Sequence, residues 1–415
     1  MRDVLARFVC RDCHDKAMRQ SDHGISAVLE EREGTRTGRS YPLRVAYDAQ
    51  AFLSANGGTG KGTQLRNLLG PYSGSFVGFA TKGQNYSDRH LIQEGLSHYK
   101  LWQQISLSYL LHKWRADFFL APYNVAPLVI PKRTKLILVL HDLILLERFD
   151  APNLRQRMNN KYRRFLVPKA VSRAHIILTV SSYSKRQIEA RFPSAQVQVI
   201  PCSIAPSWFV HRNARRLDDR ENCILAFTGN APHKNPNRAL EGYAAFVAKL
   251  DRSTAPRLRL VGLSDAAAVF RARAEALQIG DLVDIEPYLP ESQLQDLYRR
   301  SRAVLVPSLM EGFGIPVLEA MASGTPVISS DATSLPEVGG PAAAYFNPND
   351  VADMAATLSR VLGSRARQQE MIELGLRQAG RFHPDVVGRQ VQTFWDSLVH
   401  PSPADSKGSA NAFQQ

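Results

Sequence analysis

The sequence predicts an α/β fold in which two doubly wound Rossmann-like domains face each other across a cleft. Its 415 residues exceed the usual length of one domain. Short β-branched apolar runs alternate with helical patterns, and the alternation starts again after residues 201–206 (PCSIAP). The charge distribution changes at the same point, since residues 1–205 hold 30 Lys/Arg and 15 Asp/Glu whereas residues 206–415 hold 22 and 23. These observations predict one domain over residues 41–205 and a second over residues 206–380.

The composition is that of an ordinary globular protein, with 44% hydrophobic and 22% charged residues. No apolar run reaches the length of a membrane span, and the N-terminus lacks the apolar segment of a signal peptide. We therefore expect a cytoplasmic protein whose four cysteines are reduced. The excess of positive charge in the first half suggests an anionic partner, either nucleic acid or the lipid on the inner face of the cytoplasmic membrane.

Both ends of the chain are polar, and we expect residues 1–40 and 401–415 to be disordered. The segment Cys10-Arg11-Asp12-Cys13-His14 matches the C-x-x-C-H pattern of haem attachment. That attachment normally needs export, and a zinc site would need a second Cys/His pair at suitable spacing. The sequence therefore favours neither cofactor, and we expect no metal.

In the first half, the strand predicted at residues 43–47 (LRVAY) is followed by a glycine loop that includes Gly57 and Gly58. The loop departs from a P-loop, because Ala55 replaces the first glycine and Gly62 the Ser/Thr after Lys61. Later strands are predicted at residues 135–140, 176–180 and 197–200. His141 follows the first of these, at the sheet edge where open parallel sheets build their sites.

Residues 155–173 predict a basic amphipathic helix that could lie on anionic lipid, although a solvated helix fits the same pattern. The cations expected to face the membrane alternate with apolar residues: Arg155, Arg157, Lys161, Arg163 and Arg164. Ser181 and Ser182 then predict the N-cap of the next helix.

The second half alternates in the same way, with strands predicted at residues 223–228, 258–261, 283–285, 304–308 and 327–329. The fourth strand leads into Glu311-Gly312-Phe313-Gly314, and a helical pattern begins near Ile315. Two glycines at a strand-to-helix turn allow backbone amides to approach a ligand, and a helix N-terminus favours an anion. Glu319 follows two helical turns along. This arrangement suits a ligand with hydroxyl-bearing rings on either side of an anionic centre.

This stretch, continued as EGFGIPVLEAMASGTPVISSDATSLPEVGG, resembles the signature of the retaining GT-B glycosyltransferases of the fourth sequence family. The resemblance extends over most of the chain, from about residue 43 to residue 398. It implies the GT-B architecture, with a terminal helix at 380–400 that crosses back to the first domain.

The resemblance also implies roles for individual residues in binding a nucleotide sugar. Glu311 and His141 would contact the sugar, Lys234 would neutralise the diphosphate, and these three are the candidate catalytic residues. Glu319 would accept hydrogen bonds from the ribose. The remaining expected donor contacts are Gly57, Gly58, Asn230, His233, Gly262, Leu289, Phe313, Gly314 and Ile315.

One departure concerns the arginine that the family commonly has near the lysine that matches Lys234. Asn230 and His233 occupy that ground here. We hypothesise that Lys61 or a protonated His233 supplies the missing positive charge.

The function expected from these patterns is retaining, metal-independent transfer of a sugar to a saccharide or lipid-linked saccharide in polysaccharide biosynthesis. Glycosyltransferases of the other large fold usually hold a divalent metal with Asp-x-Asp, and no Asp-x-Asp follows a strand here, so we expect no metal. No other cofactor is expected. GDP-mannose is the favoured donor, because HKNPNRALEGY and SLPEVGG look like segments of bacterial mannosyltransferases. The alternatives are a GT-B epimerase or phosphorylase, or a basic nucleic-acid-binding protein, which would need an aromatic stacking surface.

Overall fold

The computed structural model describes residues 43–399, apart from 54–59, 71–74, 83–90, 148–153, 210–215, 230, 264–265 and 287–288. The predicted terminal extensions and three expected donor contacts, Gly57, Gly58 and Asn230, lie outside the described residues.

The first half of the described chain forms a parallel sheet of seven strands in the order β3-β2-β1-β4-β5-β6-β7. The strands are β1 (Arg44–Asp48), β2 (Ser75–Ala80), β3 (Leu91–Gln93), β4 (Phe118–Ala121), β5 (Lys135–Val139), β6 (Ala174–Thr179) and β7 (Val197–Val199).

The second half forms a parallel sheet of six described strands in the order β10-β9-β8-β11-β12-β13. The strands are β8 (Glu221–Phe227), β9 (Arg257–Val261), β10 (Val283–Glu286), β11 (Ser301–Val306), β12 (Val327–Ser330) and β13 (Ala343–Phe346). This is the strand order of a doubly wound fold, and the order reverses between β8 and β11. The predicted fold class, two Rossmann-like parallel-sheet domains, is confirmed.

The α-helices are α1 (Gln50–Leu53), α2 (Gly60–Leu69), α3 (Tyr99–Leu101), α4 (Leu107–Lys113), α5 (Leu154–Val171), α6 (Ser182–Arg191), α7 (Pro236–Val247), α8 (Ala267–Ala276), α9 (Glu291–Arg300), α10 (Ile315–Ala322), α11 (Leu335–Gly339), α12 (Val351–Leu362), α13 (Arg365–Gly380) and α14 (Pro384–Val399). A π-helical turn, Trp102–Ser106, joins α3 to α4. None of the helices in the described ranges is both long and apolar enough to cross a bilayer.

Each sheet buries both of its faces, which explains the nearly continuous apolar runs of its strands. Val45 and Tyr47 of β1 pack in one core cluster, and Ala46 between them packs in another. Successive side chains of a strand point to opposite faces, so helices must cover both sides. The same holds in the second sheet, where Leu305 and Val304 lie in different clusters.

Most of the predicted ends of helices and strands lie within a few residues of the observed ends. Ser181 is the N-cap of α6, and its hydroxyl accepts a hydrogen bond from the Ser184 amide at 3.1 Å, as predicted. The strand expected at 304–308 instead ends at Val306, since Pro307 has no amide to donate to a neighbouring strand.

The last helix, α14, packs on the first sheet although it follows the second in sequence. Val391 and Trp395 belong to the same core cluster as Val45, and Trp395 donates from its indole to the Leu68 carbonyl at 2.8 Å. At the preceding connection, the Ser203 hydroxyl donates to the Phe382 carbonyl at 2.7 Å. The end of the described chain is thus bonded both to the first domain and to the connection between the two sheets.

Candidate active site

The reversal of strand order in the second sheet brings together the loops that follow β8 and β11. In open α/β sheets, ligands bind in the crevice at such a switch point. The first loop carries Lys234 at the end of a short 3-10 turn, and the second carries Glu311. They are held together by a hydrogen bond from the Leu309 amide to the His233 carbonyl at 2.7 Å and by one from Asn235 to the Pro307 carbonyl at 3.1 Å.

Lys234 and Glu311 form an ion pair in this crevice, with Nζ and Oε1 2.7 Å apart. The Ser308 hydroxyl donates to the same carboxylate oxygen at 2.8 Å. The Lys234 side chain is 29% exposed and that of Glu311 11%, so an approaching ligand can reach the pair. The two charges are held ready for a ligand that offers an anion to the ammonium and hydroxyls to the carboxylate.

The glycine turn after Glu311 has a backbone that only glycine adopts easily. Gly314 has φ +116° and is the N-cap of α10; a Cβ there would lie 2.7 Å from a Leu335 methyl group. The turn is held by the Ser334 hydroxyl, which is within hydrogen-bonding distance of the Glu311 and Phe313 carbonyls, at 3.0 and 2.9 Å. At the start of α10, the amide of the partly exposed Ile315 is a donor for an anion, whereas Pro316 has no amide and the Val317 amide donates to the Gly314 carbonyl at 3.0 Å.

Phe313, an expected donor contact, has its side chain in the core. It is 5% exposed and its ring packs edge-on against Phe382, with centroids 5.4 Å apart. Its role is therefore to anchor the glycine turn, and only its backbone faces the turn.

Gly262, another expected contact, lies against the loop that carries Lys234. Gly229 and Gly262 follow the adjacent strands β8 and β9 with φ of +65° and +95°. A Cβ on Gly262 would lie 3.3 Å from the Gly229 backbone, and one on Gly229 would lie 4.0 Å from Cγ of Lys234. The two glycines allow close approach of the loops at this edge.

Leu289, the other residue expected near the base, is partly buried after β10. It lines a cavity of about 400 Å³ together with charged side chains of β9, β10 and α9. Neither Lys234 nor Glu311 lines this cavity.

Glu319 lies on α10 and accepts a hydrogen bond from the Tyr298 hydroxyl of α9 at 2.7 Å. Burial raises the pKa of Glu319 to about 8, although the Tyr298 hydrogen bond acts in the opposite direction. Tyr298 is itself fixed by the Phe227 ring, stacked at 5.6 Å, and by Trp208, edge-on at 5.2 Å. Tyr298 was not predicted as a site residue, because a tyrosine on an amphipathic helix is typical of any core.

The first sheet contributes His141 to the neighbourhood of the glycine turn. Its amide donates to the Asn124 side chain at 3.1 Å, which fixes the backbone after β5. A Cβ on Gly312 would lie 2.8 Å from the His141 carbonyl oxygen and 3.0 Å from Oδ2 of Asp142. The structure thus brings the backbone of His141 next to the turn that begins at Glu311.

Two further contacts join the sheets at the same place, and sequence reasoning missed both. The Ser181 hydroxyl donates to the Gly312 carbonyl at 2.7 Å. Glu337 of α11 accepts from the Ser182 and Tyr183 amides at 2.8 and 3.1 Å, so it caps α6 from the other domain. Glu337 stands in the quoted SLPEVGG segment, but nothing in the pattern shows which helix it would reach.

The hypothesis that a protonated His233 supplies a second positive charge beside Lys234 is not supported. Burial and then the neighbouring Lys234 lower the pKa of His233, with Glu311 acting the other way. This favours a neutral imidazole at neutral pH. Lys61 is the second residue of α2, and its side chain lies outside the described part of the structure.

A buried carboxyl group, Asp48, ends β1 on the first-domain side. Oδ2 accepts from the Tyr99 hydroxyl at 2.7 Å and Oδ1 from the Gln50 amide at 3.0 Å. Burial raises its pKa to about 6 against these hydrogen bonds. Its contacts are internal, so we assign it to holding the edge of the first sheet.

Two family models match consecutive segments of the chain. The model Glycosyltransferase Family 4 matches residues 84–208, and Glycosyl transferases group 1 matches residues 210–378. The boundary between the matches falls between the two sheets.

The similar curated proteins include mannosyltransferases. O-antigen chain mannosyltransferase B of Escherichia coli is 29% identical over 256 residues, which is 58% of this chain and 65% of that protein. O-antigen chain mannosyltransferase RfbU of Salmonella typhimurium is 34% identical over 192 residues, 46% of this chain and 51% of that protein. The chain thus spans between half and two thirds of these relatives.

The solved structures show the same fold at low sequence identity. Sucrose-phosphate synthase from Thermosynechococcus elongatus superposes with a TM-score of 0.68 at 17% identity, covering 87% of this chain and 100% of that one. Anabaena Alr3699/HepE, solved with UDP and glucose, gives a TM-score of 0.64 at 16% identity, covering 86% and 100%. The chain thus matches glycosyltransferase family models in both halves of its sequence, and its two doubly wound sheets have the GT-B fold.

Proposed function

We propose that the protein transfers a mannosyl group from a nucleotide sugar, with retention of configuration and without a metal ion, to a saccharide or lipid-linked saccharide in polysaccharide biosynthesis. The observation that carries the proposal is the Lys234–Glu311 pair, 2.7 Å apart at the switch point of the second sheet and beside the N-terminus of α10. A cation, a carboxylate and the Ile315 amide at a helix N-terminus match the parts of a sugar diphosphate.

In this proposal, the donor separates the ion pair. Lys234 and the Ile315 amide contact the diphosphate, and Glu311 and His141 hold the sugar hydroxyls. The bond from C1 to the phosphate oxygen breaks, and its electron pair goes to the leaving diphosphate. The acceptor oxygen bonds to C1 on the same face, and its proton passes to that phosphate. Lys234 and the helix dipole stabilise the charge that develops.

Glu319 serves the ribose, and Gly262 and Leu289 border the base. The Tyr298 hydrogen bond orients the Glu319 carboxyl group so that its second oxygen can accept from the diol. The choice of GDP-mannose as the donor is supported by the names of the mannosyltransferase relatives, whereas the HepE structure was solved with UDP.

The test is a panel of nucleotide sugars in a thermal-shift assay, followed by product analysis. We expect GDP-mannose to raise Tm most, with turnover unaffected by EDTA and with the donor's anomeric configuration kept in the product. Stabilisation by UDP-sugars instead would overturn the donor assignment. An inverted product would overturn the mechanism, and phosphate-dependent release of a sugar phosphate would indicate a phosphorylase.

A membrane-held acceptor is part of the same proposal. Its support is the basic segment of α5, where Arg157 and Lys161 are exposed. Arg155 is also in this helix, but its side chain lies outside the described residues.

A further inference from the structure

Three segments of the first domain lie side by side on its surface: residues 99–113, residues 122–134 and α5. Gln104 of the π-helical turn joins them. Its side-chain amide donates to the Tyr162 hydroxyl of α5 at 3.2 Å and accepts from the Leu128 amide at 2.9 Å. Arg173, just after α5, also donates to the Leu128 carbonyl.

These segments expose a set of large apolar side chains that we call the apolar surface. Seven of the ten exposed large hydrophobic residues in the described part of the chain belong to it: Leu101 (53% exposed), Ile105 (50%), Tyr109 (50%), Leu128 (39%), Val129 (54%), Met158 (62%) and Phe165 (59%).

The spacing of these residues makes the exposure continuous. Leu101, Ile105 and Tyr109 are four residues apart, so they line one side of their helix. Met158 and Phe165 flank Tyr162 on one side of α5, and Tyr162 touches Gln104 next to Ile105. Exposed apolar patches of this kind mark interaction sites in soluble domains.

The charge around the apolar surface identifies the partner. Residues 99–113, 122–134 and 154–171 hold two, two and six Lys or Arg, respectively, and no Asp or Glu. Two of these cations lie on the aromatic rings: Lys169 Nζ is 4.8 Å from the Phe165 centroid, and Lys100 Nζ is 5.1 Å from that of Tyr162. If a second copy of this chain bound the apolar surface with its own, the cations of the two copies would repel each other. Nucleic acid offers no apolar layer in which Met158 and Phe165 could be buried.

We propose that the apolar surface inserts into the headgroup region of an anionic bilayer while the surrounding cations contact its phosphates. This membrane contact rests on the proposed function, because it describes how the enzyme would reach a membrane-held acceptor. The location of the apolar surface agrees with this role. In the chain, α5 lies between the loop that begins at His141 and strand β6, and β6 leads to Ser181 at the glycine turn. The cations of α5 that were predicted from the sequence would contact the lipid phosphates, and the apolar surface would contact the apolar part of the headgroup region.

The test is co-sedimentation of the full chain with vesicles of phosphatidylcholine, alone or with phosphatidylglycerol, at moderate salt. We expect binding only to the anionic vesicles. The variant Ile105→Ser/Met158→Ser/Phe165→Ser should bind them about tenfold more weakly or worse. Leu250→Ser/Val269→Ser, which alters exposed apolar residues of the second domain, is the matched control and should bind within about twofold of the parent.

Charge is tested separately with Arg157→Gln/Lys161→Gln, which should also weaken binding and reduce its sensitivity to salt. Anionic binding unaffected by the three serine substitutions would overturn the proposal, because charge alone would then account for it. A parent dimer that the serine variant converts to a monomer in sedimentation velocity would also overturn it. Transfer to a water-soluble acceptor should be unchanged in the serine variant, so a failed glycosyltransferase assay and a failed vesicle assay remain distinguishable.

Discussion

Among single residues, Lys234 and Glu311 are expected to matter for turnover far more than for stability. Their pair is partly exposed, and ion pairs of this kind contribute little to the free energy of unfolding. Lys234→Ala should lower kcat by about 100-fold or more, because a developing diphosphate charge would lose its cation. The measurement is steady-state transfer alongside the melting temperature. The exposed Lys249→Ala is the control, and near-parental turnover of Lys234→Ala would remove Lys234 from the mechanism.

Glu319 is expected to make stability depend on pH. The unfolded chain loses this proton near the ordinary glutamate pKa of 4.5, whereas the folded chain holds it up to about 8. The folded state binds more protons between these values, so the free energy of unfolding falls as pH rises through them. Glu319→Gln removes this fall. Relative to the parent, its stability should therefore rise by about 4 kcal/mol from about pH 5 to about pH 8.5.

Urea titrations of the parent and of Glu319→Gln at several pH values measure this difference. The exposed Glu373→Gln corrects for the general pH trend of the protein. Parallel curves for the parent and Glu319→Gln would show that the carboxyl group ionises as freely in the folded chain as in the unfolded one.

At the scale of elements, the start of α10 depends on the glycine before it. Gly314→Ala places a Cβ 2.7 Å from Leu335 on a backbone with φ +116°, so we expect a loss of about 1–3 kcal/mol and a displaced helix N-terminus. The control is Gly380→Ala, where a Cβ meets nothing within 4 Å. That change should be neutral or stabilise the protein by up to about 1 kcal/mol. Denaturant midpoints and donor affinity give the comparison, and equal effects of the two alanines would contradict it.

The link between the domains at α6 is a second property of elements. Glu337→Ala removes the acceptor of two helix amides, which should cost about 1–2 kcal/mol of stability. It should also weaken the approach of Ser181 to Gly312, and so raise KM. Glu189→Ala on the same helix is the control, because its pair with Lys185 is long and exposed. Melting curves and steady-state kinetics separate the effects; a silent Glu337→Ala would mean that water caps α6 equally well.

At the scale of the whole molecule, the chain is closed by α14 returning to the first sheet. Trp395 is fully buried there, edge-on to Phe76 at 5.6 Å, and is bonded to the Leu68 carbonyl. Trp395→Ala should cost about 3–5 kcal/mol by leaving a cavity and an unpaired carbonyl. Guanidinium unfolding measures the loss, with a stop after residue 400 as the control that keeps α14. If Trp395→Ala unfolds at the parental midpoint, the packing of α14 contributes nothing to stability.

The two doubly wound sheets, the cap at Ser181 and the turn from Glu311 to Gly314 could be predicted from the residue pattern. These depend on residues close together in the chain, where periodicity, capping and glycine conformation act directly. Three contacts could be recognised only from the folded chain: Lys234 pairs with Glu311, Tyr298 donates to Glu319, and Glu337 caps a helix of the other domain. The tertiary structure alone also joined α5 to residues 99–113 in one apolar surface, because burial and pairing depend on which distant segments the fold brings together.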